Sequence, residues 1–307
     1  MLKVIVTRLM AAVPVIIGAS FFVFAMMSLM PGDVADMLLD EVTASPEQKE
    51  ALREQLGLNK PFPIRYVKFL SGAVRGDLGR SFVSNRPVLE EVMEQLPRTI
   101  ELAVAGMTVA IALGMTLGIL SAIRQNSWID TVSMAVAMVG VSMPIFWLGL
   151  LLILVFAVNL RWFPALGQGS PRSLVLPAVT LGTLPAASIA RLVRSSMLEV
   201  LRQEYMVTAR AKGLREQTVI VRHALKNALI PTITIVGLQL GSLLSGAVLT
   251  ETIFARQGLG QLTVSAIVRK DFPLVQACIL VTSIFYVLAN LLVDISYAWF
   301  DPRIRYE

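Results

Sequence analysis

Only one cysteine and one histidine occur among the 307 residues, and only 16% of the chain is charged. A lone thiol, Cys278, cannot form an intrachain disulfide, and His223 lacks the clustered His, Cys or Glu that a metal site requires. No lysine follows a glycine, so the G-x-x-x-x-G-K-[ST] loop that cradles nucleotide phosphates is missing. G-x-S-x-G and H-E-x-x-H are missing as well. Gly258-Leu259-Gly260 is half a dinucleotide fingerprint, but Thr263 stands at the third glycine position, and a turn explains it better. These absences predict a chain that is not an enzyme on its own and binds no cofactor or metal itself.

The scarcity of charge has a positive counterpart. Hydrophobic residues make up 55% of the chain and the mean hydropathy is +0.70, which places it among integral membrane proteins. A helix crossing the hydrocarbon needs about 20 mostly apolar residues. Six stretches meet that requirement: 9–30, 99–123, 131–158, 174–194, 228–250 and 273–296. The first follows Lys3 and Arg8 as a signal peptide would, yet its apolar run is too long and no small-x-small cleavage site precedes Pro31-Gly32-Asp33. It reads as a retained span.

The net charge of +6 is distributed in a way that points away from nucleic acid. Residues 191–226 hold eight Lys/Arg against three acids, whereas 31–98 hold nine against eleven. Short basic loops stay in the cytoplasm, so both termini, 124–130 and 191–227 are expected inside, with 31–98, 159–173 and 251–272 outside. The expected organisation is a first span at 1–30, an external helical segment at 31–98, a five-helix core over 95–296 containing a cytoplasmic loop at 195–227, and a tail at 297–307.

Within 31–98, Ser45-Pro46-Glu47-Gln48 starts a short helix, with Ala51, Leu52 and Leu56 as its apolar face and Gly57 as its stop. A second helix is expected over 64–74, then a turn at Gly76-Asp77-Leu78-Gly79. This cap is too small for a core of its own and should lie against the spans. Gly114-x-x-x-Gly118 and Gly237-x-x-x-Gly241 suit close helix packing, and Pro144, Pro177 and Pro185 are expected to break the third and fourth spans. Segments 102–123, 131–160 and 273–293 contain no Asp, Glu, Lys, Arg or His. Glu101, Arg191, Arg194, Glu251 and Asp294 fall near span ends, where snorkelling or capping accounts for them. A carrier driven by protons or ions would place carboxylates near the midplane, so any transport energy should come from another subunit.

The stretch Glu204–Pro231 is basic, structured and broken by Gly213. A helix continuing the fourth span is expected to run through Arg191, Arg194, Leu198, Leu201 and Tyr205 to Lys212. A second, from Glu216, would place Val219, Arg222, His223 and Lys226 on one side, and Asn227 and Pro231 would restart the fifth span. Small residues beside Gly213 would make a narrow elbow able to enter a groove on a cytoplasmic partner. A solvated basic loop touching anionic lipid is the other reading, and the residues alone leave both open.

The same stretch resembles the cytoplasmic signature of permease subunits of binding-protein-dependent ABC importers, Glu-Ala-Ala, three residues, Gly, nine residues, Ile-x-Leu-Pro. With Gly213 as anchor, Ala209 and Leu225 match, while Val207, His223 and Lys226 depart from the Glu, Ile and Pro. Thr208-Ala209-Arg210-Ala211-Lys212-Gly213, then His223-Ala224-Leu225-x-Asn227, is similar to the dipeptide, oligopeptide, nickel and glutathione branch. So are Pro31-Gly32-Asp33, Gly76–Gly79, Phe254 with Gly258–Gly260, and Asp301-Pro302-x-Ile304-Arg305-Tyr306; Gln257 stands where many relatives have proline. The resemblance implies an all-α integral membrane protein with six transmembrane helices, N- and C-termini inside, in the type I importer permease fold of a bacterial inner membrane. It implies a second permease, two ATPase subunits that bind ATP and Mg, and a periplasmic binding protein as partners, with membrane lipid around the chain and no nucleic acid. ATPase coupling would fall to Thr208, Ala209, Arg210, Ala211, Lys212, Gly213, Leu214, His223, Leu225 and Asn227. Binding-protein contact would fall to Asp77, Gly258 and Gly260. Short peptides are the implied solute, with glutathione or a nickel complex as alternatives. A secondary transporter and a membrane scaffold or receptor are readings of a different class.

Overall fold

A computed structural model describes residues 2–29, 46–56 and 59–300. Pro31-Gly32-Asp33, Ser45, Gly57 and the Asp301–Tyr306 ending lie outside the described residues, as do the side chains of Leu52, Leu56 and Asp294. Every regular element among the described residues is helical, apart from one isolated bridge between Arg80 and Pro87. In chain order these are α1 (Leu2–Leu29), α2 (Pro46–Leu56), α3 (Phe62–Val74), α4 (Val88–Ile123), α5 (Trp128–Ser142) and α6 (Ile145–Leu152). A π-helical turn, Ile153–Asn159, extends α6. Then come α7 (Pro171–Leu201), α8 (Glu204–Ala211), a short helical turn at Glu216–Thr218 running into a second π-helical segment at Val219–Leu225, α9 (Lys226–Ile253), α10 (Leu259–Val268) and α11 (Phe272–Phe300).

Among the described residues five helices are long and apolar enough to cross a membrane, and six if the bent pair α5 and α6–Asn159 counts as one. The third stretch is therefore not straight: its halves meet at 111°. Pro144 has no N–H to continue the ladder and pushes Met143 into an extended conformation, ψ 131°. Pro177 and Pro185 behave otherwise, since α7 runs unbroken through both. Both prolines are buried, and two-thirds of the α7 window is buried, against 17–39% for the other four. Neighbouring helices packed around both prolines accompany the continuous helix, the setting in which intramembrane prolines are tolerated.

The chain divides into two compact units. The first comprises Thr99–Gln257 with the two chain ends, and α7 lies at its centre, flanked by α4, α5, α6 and α9. Leu102, Ala110, Leu181, Ile189, Val193, Leu243 and Ala247 form its core. Gly114 and Gly118 of α4 face α7 directly, and Gly237 and Gly241 are both buried. A Cβ on Gly118 would stand 2.6 Å from the Ala190 carbonyl oxygen and 2.8 Å from Val193 Cβ, leaving no room without moving backbone. Gly118→Ala should therefore destabilise the chain by about 1–2 kcal/mol, although alanine favours a helix by about 1 kcal/mol. Thermal unfolding of the purified variant checks this, and a gain in stability would contradict the packing.

The second unit comprises Val6–Arg98 and Gly258–Val287. Here α3 lies against α1, as a cap without its own core must. Phe62 and Tyr66 meet Phe21 and Phe24 edge-on at 5.3–5.7 Å between ring centroids. Tyr66 Oη donates to the Ile17 carbonyl at 3.0 Å. Ala51 of α2 is exposed. The Gly76–Gly79 turn forms as expected, with positive φ at both glycines and Gly79 N donating to Asp77 Oδ1. Asp271 ties the loop after it to the α10–α11 corner, accepting from Ser81 Oγ at 2.5 Å and Phe82 N at 3.1 Å.

Candidate functional site: a braced elbow at Glu204–Leu225

The elbow is built differently from a continued fourth span. Arg202 closes α7, with Arg202 N and Gln203 N donating to the Glu199 and Val200 carbonyls, and Gln203 is extended, ψ 148°. A separate helix, α8, then carries Thr208–Ala211. Met206 and Ala209 are buried in the same core cluster as Met197, Val219, Ala224 and Ala228. Ala209 thus anchors α8 to the bundle rather than lining its outside. Thr208, Arg210, Ala211, Lys212, Gly213 and Leu214 are exposed, as are Val207 and Val221. Val207, Leu214 and Val221 are exposed apolar residues on the same stretch as the exposed cations Arg210, Lys212, Arg215 and Arg222.

Gly213 N donates to the Arg210 carbonyl at 2.9 Å, and its φ of +76° suits glycine because no Cβ is present. No heavy atom lies within 4 Å of where a Cβ would stand. Nothing inside the chain crowds this glycine, so the space beside it is open. Arg210 braces the turn through a two-pronged pair with Glu216, Nη2 to Oε1 at 2.9 Å and Nε to Oε2 at 3.2 Å.

The Arg210 hydrogen bonds hold the Glu216 carboxyl below its ordinary value of 4.5. The brace is therefore fully present above pH 4.5 and fades as the pH falls through that lower value. Both groups are well exposed, so it contributes less than about 1 kcal/mol. Amide exchange across 212–218, corrected for its intrinsic pH dependence, should quicken only below pH 4.5; Glu216→Gln should remove that dependence.

Beyond Glu216 the backbone is π-helical over Val219–Leu225 and passes into α9 without a break at Asn227 or Pro231. The extra residue per turn undoes the expected face: Val219 is buried, Arg222 and Lys226 are exposed, and His223 and Leu225 are half-buried. Asn227 Nδ2 donates to Tyr205 Oη at 2.9 Å and to the His223 carbonyl at 3.1 Å, clipping α8 to the start of α9.

Residues 114–306 match the family described as the binding-protein-dependent transport system inner membrane component, and residues 1–103 match its N-terminal part. The chain belongs to this family. The permease is 45% identical to the dipeptide transport system permease protein DppB of Alkalihalophilus pseudofirmus, covering all of both chains. It is 42% identical to the glutathione transport system permease protein GsiC of Escherichia coli, again over both full lengths. Among solved structures, its fold is that of the inward-facing MetNI methionine ABC transporter, with a TM-score of 0.61 and 17% identity over 70% of this chain and 99% of that one. An amino acid ABC transporter matches with a TM-score of 0.53 and 13% identity, over 68% and 94%. The permease is thus a multi-pass ABC importer subunit of the dipeptide and glutathione branch, a family that works with ATPase and binding-protein components.

A second feature of the permease lies upstream of its elbow. Asp130 is buried and accepts from Arg194 Nε and Nη2, both at 2.8 Å, from Asn126 N at 3.0 Å and from Ser121 Oγ. These contacts lock the 124–130 turn to α7 at Arg194, about two turns before α7 ends at Leu201 and α8 begins at Glu204. Arg194 is therefore an ion-pair partner rather than a snorkelling side chain. Glu251 is also more than a span-end residue: it is fully buried and accepts from Thr99 Oγ1 at 2.6 Å, while Glu101 pairs with the buried Arg256. Ser127 caps α5 by accepting from Asp130 N.

Of the residues expected to meet a binding protein, Asp77 is exposed on its turn, whereas Gly258 and Gly260 are both buried. Gly258 is extended at the start of α10, not in a turn. Close packing at the head of α10 encloses both glycines, so any contact there falls to exposed neighbours such as Gln257. Among the described residues no cluster of three His, Cys, Asp or Glu could hold a metal ion.

Proposed function

We propose that the permease carries short peptides, dipeptides foremost, across a bacterial inner membrane, paired with a second homologous permease. Two ATPase subunits beneath the pair would bind ATP and Mg and dock on the elbow, while a periplasmic binding protein delivers the solute from the other side. The elbow's construction carries this reading. Its outer edge is open at Gly213, and its inner edge, Met206 and Ala209, is packed into the core with Met197 and Ala228. A push on that edge moves α7 and α9 together, which suits a rigid-body switch between inward-open and outward-open bundles. Thr208–Leu214 would form the contact, with His223, Leu225 and Asn227 holding its shape. Asp77 and the exposed residues beside Gly258 and Gly260 would face the binding protein.

The full-length identity to a dipeptide permease supports the peptide assignment, and the similar identity to glutathione permeases supports glutathione as the second reading. ATPase activity of the reconstituted complex with its binding protein separates them. Dipeptides are expected to raise hydrolysis several-fold above glutathione. A response to glutathione alone would favour the second reading, and uptake without nucleotide would overturn the ATP-driven one.

A further inference from the structure

Within the second unit, a cavity of about 530 Å³ opens beside α3. Its wall carries five cations, Lys60, Arg65, Lys68, Arg75 and Arg80, against the single acid Asp77. Asp77 is already committed to its own turn through Gly79 N, and Arg80 Nη1 donates to the Asn85 carbonyl. Lys60, Lys68 and Arg75 form no ion pair among the described residues. The apolar side of the cavity comes from two span ends, Phe24 of α1 and Phe272 at the first residue of α11. The cavity wall thus combines cations with aromatic side chains of two helices apolar enough to span a membrane.

The rest of α3 specifies what meets those cations. Its Phe62 and Tyr66 face α1, yet Ile64, Val67 and Val74 are exposed, Val74 at 89%. A helix with exposed apolar residues and a basic edge, attached to a span end, suits the interfacial plane of a bilayer. A soluble acidic protein would complement the charge but would leave Ile64 and Val67 in water. From this juxtaposition we infer that the cavity binds an anionic phospholipid, its phosphodiester held by Lys68, Arg75 and Lys60 and its acyl chain lying beside Phe24 and Phe272. The cavity shares no lining residue with the elbow, and a lipid held there would fix the cap to one leaflet.

Each cation near an anionic headgroup strengthens binding about five-fold, so the Lys68→Ala/Arg75→Ala double variant should weaken binding about thirty-fold. Native mass spectrometry of the full chain in detergent, with phosphatidylglycerol or phosphatidylcholine added, reads this directly. The wild-type chain is expected to retain phosphatidylglycerol in preference to phosphatidylcholine, and millimolar inorganic phosphate should not displace it. Lys68→Arg/Arg75→Lys should retain the lipid, and Arg269→Ala, which removes an exposed charge of the same unit outside the cavity, should behave as wild type. Equal retention of the two lipids, or undiminished retention by the double alanine variant, would overturn the inference. So would displacement by phosphate, or a double variant that loses only binding-protein affinity, which would make the cavity a protein contact.

Discussion

Replacing Gly213 with asparagine is expected to lower ATP-driven uptake about thirty-fold while the permease still inserts and folds. Asparagine is the informative choice because it tolerates a positive φ, so the turn at +76° survives. Within the chain its side chain would meet nothing, since no heavy atom lies within 4 Å of the Cβ position. Any loss must then come from whatever occupies that space in the assembled importer. Forcing extra atoms into a packed contact costs about 1–3 kcal/mol, and a middle value corresponds to the thirty-fold figure. Uptake and thermal stability of the reconstituted variant read the two effects apart. Wild-type uptake would mean that the shape of the turn matters and the space beside it does not.

Asp130→Ala should give the largest loss of stability, about 3 kcal/mol. It strands the Arg194 guanidinium, the Ser121 hydroxyl and the Asn126 amide at once. The lower end of the range for a broken buried pair applies because Arg194 is partly open to solvent. Adding Arg194→Ala should cost little more, since the stranded charge is then gone, and a double-mutant cycle would show strong coupling between the two positions. Chemical unfolding of the purified chain measures this. An Asp130→Ala variant within 0.5 kcal/mol of wild type would show that the pair is not a structural lock.

The elements legible in the sequence were those set by local physics. Span length follows from apolar run length, and the Gly76 and Gly213 turns from the residue that best tolerates a positive φ. The break at Pro144 was legible because a proline in a partly exposed helix lacks neighbours to hold it straight. Pro177 and Pro185 misled because their consequence depends on burial, which tertiary packing decides. No glycine or proline announces the gap at Arg202-Gln203, and a π-helical insertion at Val219–Leu225 leaves composition and hydropathy unchanged. Asp130 and Arg194 are 64 residues apart, so nothing local joins them. The elbow was therefore located by its residues, while its bracing by Glu216, Tyr205 and Asn227 required the fold.

The central claim is that ATPase subunits work on the permease through the open edge of the elbow. Labelling of a Leu214→Cys variant with a membrane-impermeant maleimide tests it most directly, because Leu214 is exposed and the native Cys278 is buried. With the chain alone, position 214 should label rapidly. Assembly with the ATPase subunits should block labelling, and stripping them off should restore it. Equal labelling in the bare chain and the assembled complex would contradict the account.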